Sequence, residues 1–533
     1  METTVASRWL LCCLCWLLIS QTYSVMLLAY IEEKLRKVRG VSLGGWLVVE
    51  AWIKHSLFED IPNGDMLDGT EVQFQSVASH KYVTAENGGG QNVTVNTTVP
   101  GTFETFRLWR VSETQFQFRT SGDQFLSCVG QGCSISAKAE APSINETFFI
   151  ERFNNLVHIK TSNGAFLQAQ SSFQLTADYL GIPGWDDNTA TFEMFVVSSD
   201  YHGEFQLTNG WGDRAKDVLQ THRDTFVTEA DIRFLSKHGI NTLRIPVGWW
   251  IYRDPNPPAP YVAGSLEALD NAFKWAQAYD MKCIIDLHAA PDSQNGKETS
   301  SSRDGSADWA KSQEYISLTL DVIDFLASRY AKNPTLLGIS LLNNPSASSV
   351  PLDILVSYYS KGYEIVRNYS STAYVIIPQR TGQADPTELI QANIGSLNLV
   401  LEVHFYNRDN LTVNASVADN IEFVQNKRRT QLDVLNSANG PLIFVGEWVN
   451  LMTVENASRE DYIKFGKAQL EVYSEASFGW AYWTLKNQVK RWDFEWNIQR
   501  SYLQTGKYQL HIILAGFVDS RWKQMLTDNV NCR

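Results

Sequence analysis

Nine side chains of this chain stand where apolar runs end and could do chemistry there: Arg244, His288, Asn343, Asn344, Gln379, His404, Tyr406, Glu447 and Trp483. Two of these ends matter most. Leu442 to Trp448 closes on Gly446-Glu447-Trp448 and brings a carboxylate, whereas Leu341-Leu342-Asn343-Asn344-Pro345 brings two amides. Carboxylate chemistry on a sugar acetal uses two carboxyl groups, one to attack and one to pass a proton. Here one end has the carboxylate and the other an amide, which neither releases a proton near neutral pH nor acts as a base. Each residue alone has a plain structural reading, since a strand-end His is often a satisfied structural residue and a Trp is usually core. Their convergence on one face is the informative feature.

The elements that must position them read as eight apolar strands separated by helical patterns. The strands are expected at Val38 to Val48, Asn241 to Pro246, Lys282 to Leu287, Leu336 to Leu342, Ala373 to Ile377, Leu399 to Val403, Leu442 to Val445 and Gly479 to Thr484. Buried strands alternating with helices predict a (β/α)8 TIM barrel, whose active site forms at the carboxyl ends of the strands. Among the helices, Thr228 predicts an N-cap for a run containing Ile232, Phe234 and Leu235 that Gly239 ends, and Ser317 to Tyr330 carries a broad apolar face.

Between the first and second strands the chain repeats itself at a period of roughly 40 residues. The three units start at Val72-Gln73-Phe74, Phe116-Gln117-Phe118 and Val157-His158-Ile159, and end at Thr105-Phe106, Thr147-Phe148 and Thr191-Phe192. Short alternating strands in three similar units predict an all-β (β-trefoil) domain inserted after the first barrel strand, and the pattern resembles the fascin-like trefoil. It serves either as a sugar-binding or targeting surface or as an insert that only packs on the barrel. The expected organisation is a signal peptide at 1–24, the start of the barrel at 25–70, the insert at 71–198, the remainder of the barrel at 199–503, and a tail at 504–533 for which the sequence offers no physical account.

The formal charge of −13 disfavours nucleic acid, whose phosphates are held by clustered cations. Arg8 followed by the apolar run Trp9 to Ile19 and then Ser20, Thr22 and Ser24 has the layout of a secretory leader, too short to span a bilayer comfortably. A secreted, extracellular or cell-wall location without a stable membrane partner is expected. Asn-X-Ser/Thr sequons at Asn92, Asn96, Asn145, Asn368, Asn410, Asn414 and Asn456 agree with a glycosylated product. Of seven cysteines, Cys12, Cys13 and Cys15 fall in the leader, Cys128 and Cys133 flank a turn that would let them pair, and Cys283 sits in an apolar strand. Cys-His metal spacing is absent, so neither a metal nor another cofactor is expected.

The ordered set of Arg39-Gly40-Val41-Ser42-Leu43-Gly44-Gly45-Trp46-Leu47, Leu243-Arg244-Ile245-Pro246, Asp286-Leu287-His288-Ala289-Ala290-Pro291, Val403-His404-Phe405-Tyr406 and Val445-Gly446-Glu447-Trp448 resembles glycoside hydrolase family 5. The likeness is to its plant-type glucan exo-1,3-β-glucosidases with a fascin-like insert, and it covers roughly Val38 to Leu503. It implies Glu447 as nucleophile, Arg244 and Tyr406 as the groups positioning its carboxylate, Trp483 as a sugar platform, and His288, Asn343 and His404 as hydrogen-bonding residues for a β-glucan or β-glucoside. It also implies that Asn344 occupies the acid/base position, where the family carries Glu. Two departures lie nearby: Asp292 stands where Gly is usual and could supply a displaced carboxyl, and Thr299 stands where His is common. The expectation is a retaining glycosidase with impaired hydrolysis, or a transglucosidase using activated donors. The rival is a glucan-binding protein without turnover; a third reading, actin bundling through the insert, conflicts with the leader.

Overall fold

The computed structural model describes residues 37–199, 202–382, 384–390, 395–407, 415–437 and 440–505. The expected leader, Asn410, Asn414, Cys532 and all but the first two residues of the expected tail lie outside the described residues.

Eight parallel strands close into a barrel: β1 Val38–Ser42, β2 Thr242–Gly248, β3 Lys282–Ala289, β4 Leu336–Ser340, β5 Tyr374–Pro378, β6 Leu399–Phe405, β7 Leu442–Trp448 and β8 Gly479–Tyr482. β1 pairs with both β2 and β8, which removes every edge. With its helices this is a (β/α)8 barrel. The strands carry the apolar runs because both faces are buried, the inner by Val38, Ile284, Ile376, Val400 and Phe444 and the outer under the helices. β1 stops at Ser42 rather than Val48, because the chain turns at Gly44-Gly45. A Cβ on Gly44 would meet the Trp483 ring at 2.7 Å, and Gly45 has φ +73°. β2, β3, β6 and β7 end two or three residues later than their patterns predict, carrying the barrel register up to the polar ends.

The helix after Thr228 spans Glu229–Lys237, with the Thr228 amide donating to Asp231 Oδ2 at 2.8 Å. The next predicted helix begins earlier than expected, at Gln313, because Ser312 Oγ accepts from the Tyr315 amide.

Twelve short antiparallel strands, from Glu71–Ser76 to Phe192–Ser198, form an all-β domain between β1 and β2. Its core includes Val72, Phe74, Phe116, Phe118, Val157 and Ile159, the residues that open the three sequence units. The repetition extends to a polar contact: Gln73 donates to Thr105 Oγ1 at 2.9 Å, Gln117 to Thr147 Oγ1 at 3.1 Å, and His158 Nε2 lies 3.1 Å from Thr191 Oγ1. Cys128 and Cys133 form a disulfide across their turn, and Cys283 is a buried free thiol.

The all-β domain grips the long loop between β3 and the helix Gln313–Tyr330. Asp304 of that loop accepts from Arg119 Nη1 at 2.6 Å and Trp109 Nε1 at 2.7 Å, both from the all-β domain. Arg303 lies over the Trp109 ring at 3.8 Å and donates to Asp68 Oδ1 at 2.7 Å. Burial alone would raise the Asp304 carboxyl, but Arg119, Ser306, Arg107 and Trp109 outweigh it and hold its pKa at about 2.

Candidate active site

The strand ends assemble around Glu447, the penultimate residue of β7. Its neighbour Gly446 is dictated by close approach: a Cβ there would sit 1.9 Å from Glu402 Oε1. The Glu447 carboxylate is buried and doubly held. Tyr406 donates its phenol to Oε2 at 2.6 Å, and Arg244 Nη1 donates to Oε1 at 3.2 Å. Burial and the adjacent Glu447 charge push the Tyr406 phenol well above its ordinary range, so it stays a proton donor to that oxygen. His404 Nδ1 lies 3.2 Å from the same oxygen.

Arg244, fully buried on β2, is the hub. Its guanidinium meets three carboxylates, Asp286 at 3.2 Å, Glu402 at 2.9 Å and Glu447 at 3.2 Å, and donates to Asn343 Oδ1 at 3.0 Å. Burial by itself would weaken this cation; the three carboxylates overcome that and raise its pKa. The fork of N–H donors makes one arginine sufficient to orient three anions, which a lysine point charge does not do.

His288 Nδ1 is 2.6 Å from Asp286 Oδ2, which orients the imidazole and turns Nε2 toward Asn343 Nδ2 at 3.3 Å. The His288 ring stacks on Trp483, centroids 5.2 Å apart and planes 4° from parallel. Asn343 is therefore fully buried and bridges Arg244 to His288. Trp492 stands at 5.6 Å from the Tyr406 ring and 4.9 Å from Trp52.

Asn344 is only half-buried and has φ +46°, a left-handed conformation that Asn tolerates better than most residues. Asn295 Nδ2 donates to its backbone carbonyl at 3.1 Å. The structure thus brings Arg244, His288, Asn343, His404, Tyr406, Glu447 and Trp483 into one contact network, with Asn344 at its edge. Gln379 joins through its backbone amide, which donates to the Glu402 carbonyl at 3.0 Å. Asp292 faces elsewhere: its carboxyl interacts with Asp308, Asp304, Tyr315 and Arg119, none of them at the end of a barrel strand, so the expectation of a displaced acid there is corrected.

Four residues that the sequence reading passed over complete the site. Asp286 and Glu402 precede His288 and His404 by two positions and share their inward face. Burial would raise the Glu402 carboxyl, but Arg244, His404 and Ser340 overcome it, so Glu402 is an anion with no proton to offer. Gln294 ties two strand ends together, donating to the carbonyls of His288 and Asn343, each at 2.7 Å. Glu50 is fully buried; Oε2 accepts from Trp52 at 2.8 Å, while Oε1 has no hydrogen-bond partner among the described residues and lies 3.9 Å from His288 Nε2. Burial first, then Glu298 and Glu447, push its pKa well up. Its neighbours are Trp52 and His288. The available signal for it was one polar residue closing the run Leu47-Val48-Val49. Among the described residues no cluster of His, Cys, Asp and Glu is arranged to hold a metal.

The profile of "Cellulase (glycosyl hydrolase family 5)" matches residues 204–489, more than half of the chain, and a domain of unknown function, DUF7910, matches residues 63–197. The chain is 38% identical over 186 residues to "Glucan 1,3-beta-glucosidase" of Pichia angusta, a match spanning 34% of this chain and 42% of that protein. It is 27% identical over 332 residues to "Glucan 1,3-beta-glucosidase" of Schwanniomyces occidentalis, spanning 56% of this chain and 76% of that protein. The crystal structure of rutinosidase from Aspergillus niger shares the fold, with a TM-score of 0.51 at 22% identity over 56% of this chain and 88% of its own.

Proposed function

This chain belongs to glycosyl hydrolase family 5, and from that premise we propose that it attacks β-glucosidic bonds through Glu447 and forms a covalent glucosyl-enzyme. The observation that carries this reading is the hold on Glu447: one oxygen on Arg244, the other on Tyr406, with the same buried arginine also paired to Asp286 and Glu402. A cleft used only for binding has no need of a carboxylate prepared in this way. The name of the relatives, "Glucan 1,3-beta-glucosidase", supports β-linked glucosyl groups of glucans or glucosides as the substrate class.

The acid/base partner, which both halves of a retaining cycle use, is where this chain departs. General acid assistance is worth about 100- to 10,000-fold, and Asn344 cannot give it. Glu402, held as an anion, does not replace it, and Glu50 has one oxygen on Trp52 and the other toward His288. Hydrolysis of unactivated glucosides is therefore slow, while donors whose leaving group needs no proton still glucosylate Glu447 and pass the sugar to an added nucleophile. Secretion fits the exposed positions of Asn92, Asn96, Asn145, Asn368 and Asn456. The threefold recurrence of the Thr105, Thr147 and Thr191 contacts supports a fascin-like β-trefoil as the identity of the all-β domain.

Incubation with 2-deoxy-2-fluoro-β-glucosyl fluoride followed by peptide mass mapping tests the proposal. A single fluoroglucosyl adduct on Glu447 is expected. No adduct on folded protein, together with glucan binding that survives Glu447→Gln, would assign the cleft to binding without turnover.

A further inference from the structure

A cavity of about 620 Å³ lies between the all-β domain and the barrel, beside the amide that replaced the acid. Arg107 and Asp123 line it from the all-β domain, Asn295 and Lys297 from the loop after β3, and Ser346 from the segment just past Asn344. Its link to the strand end is direct. Asn295 donates to the Asn344 carbonyl at 3.1 Å, and the Ser346 amide donates to the Gln294 carbonyl at 3.1 Å. In the chemistry proposed above, the oxygen that leaves the sugar departs on the Asn344 side, and this cavity adjoins the segment that carries Asn344.

Its lining describes that occupant. No aromatic ring lines it, so a glucan chain would find no face on which to stack. Its charges are three cations and two carboxylates. Arg107 pairs with Asp123 at 2.7 Å and Lys311 with Asp308 at 2.5 Å, which leaves the exposed Lys297 without an ion-pair partner among the described residues. A polar chamber with one uncompensated cation suits an anion.

We propose that this cavity is the leaving-group and acceptor site for a carboxylate, with Lys297 as its counter-ion, and that it serves glucosyl transfer between carboxylates. The inference rests on Glu447 being the nucleophile. With a 1-O-acyl β-glucose donor, Glu447 attacks the anomeric carbon and forms the C–O bond of the glucosyl-enzyme. The bond from that carbon to the acyl oxygen breaks, and its electron pair leaves with the carboxylate. No proton moves, because the conjugate acid of such a leaving group has a pKa near 4. Asn344 is adequate here, since its amide N–H can donate to an oxygen that stays an anion. In the return step a second carboxylate attacks the anomeric carbon, the bond to Glu447 breaks, and the electron pair returns to Glu447. Both half-reactions balance without acid or base, which turns the loss of the family's Glu into a choice of partner.

The test uses the full-length protein with 1-O-benzoyl-β-glucose as donor and acetate or laminaribiose as acceptor, with β-glucosyl fluoride and azide as the pair whose leaving group is too small to reach the cavity. Acetyl glucose is expected to form with acetate in preference to any product on laminaribiose. Lys297→Ala is expected to lower kcat/KM for the benzoyl donor on the order of tenfold, equivalent to one exposed charge contact, to leave the fluoride and azide reaction within about twofold, and to be restored by Lys297→Arg. Reaction with fluoride but not with the benzoyl donor, equal loss with both donors, no effect of Lys297→Ala, or preferred transfer to laminaribiose would overturn this inference and leave Glu447 standing. Inertness to both donors would instead remove the nucleophile on which it rests.

Discussion

The ends of β7 and β4 face the same cleft and differ in how they are supported. At β7, Glu447 has both oxygens held, a glycine before it that admits Glu402, and an arginine shared among three carboxylates. At β4, Asn343 is locked into that same network, while Asn344 beside it is half-buried and anchored through its backbone to Asn295. On the proposed reading, one side of a two-carboxylate machine keeps its supporting residues, and the other carries Asn344 where the resemblance implies Glu. A cleft shaped only for binding would show no such division.

Removing the strong side gives the largest effect. Glu447→Gln keeps the shape and hydrogen bonds but abolishes the nucleophile, and single-turnover release from an activated glucoside is expected to fall by several orders of magnitude. Restoring the weak side comes next: Asn344→Glu is expected to raise turnover of an unactivated alkyl β-glucoside by about 100- to 10,000-fold, measured as glucose released. That gain must overcome a left-handed backbone that suits Asn better than Glu. Arg244→Met tests whether the support is shared as the distances indicate. It leaves Asp286, Glu402 and Glu447 without their common cation and is expected to cost about 3–5 kcal/mol in denaturant unfolding, with loss of covalent labelling as well.

The smallest expected effect reaches the weak side from outside. Asp304 anchors the all-β domain to the loop that carries Asn295, and its folded pKa of about 2 lies below the ordinary carboxylate value of 3.8. A depressed carboxyl contributes stability that is fully present above the unfolded value and lost as pH falls through the folded one. Docking is therefore expected to weaken by roughly 2 kcal/mol between pH 4 and pH 2, read as faster proteolysis of the 292–311 loop, and Asp304→Asn is expected to flatten that profile.

The barrel was legible because parallel strands buried on both faces read as continuous apolar runs, and because the polar residues closing them fall at one end. The threefold pattern of the insert was legible for a related reason: equivalent core positions repeat equivalent residues, such as Phe74 and Phe118. The support beneath the site was not. Asp286, Glu402 and Glu50 are acidic residue types within or just beyond apolar segments, and nothing in their spacing shows that one arginine on a strand 40 or more residues away would pair with the first two. Gln294 and Asn295 act from a loop whose path is set by the all-β domain, and local pattern does not carry that path. Asp292, which the sequence made a candidate, points toward that same domain interface.

The most direct measurement is the time course of 2,4-dinitrophenyl β-glucoside cleavage with and without azide, beside the matching alkyl glucoside. The expected result is a burst of one dinitrophenolate per protein followed by a slow phase, azide accelerating that phase and yielding β-glucosyl azide, with the alkyl glucoside nearly inert. Equal, azide-insensitive turnover of both glucosides would show a working acid/base group elsewhere and contradict the division between the two strand ends; absence of any burst from folded protein would contradict Glu447 as a live nucleophile.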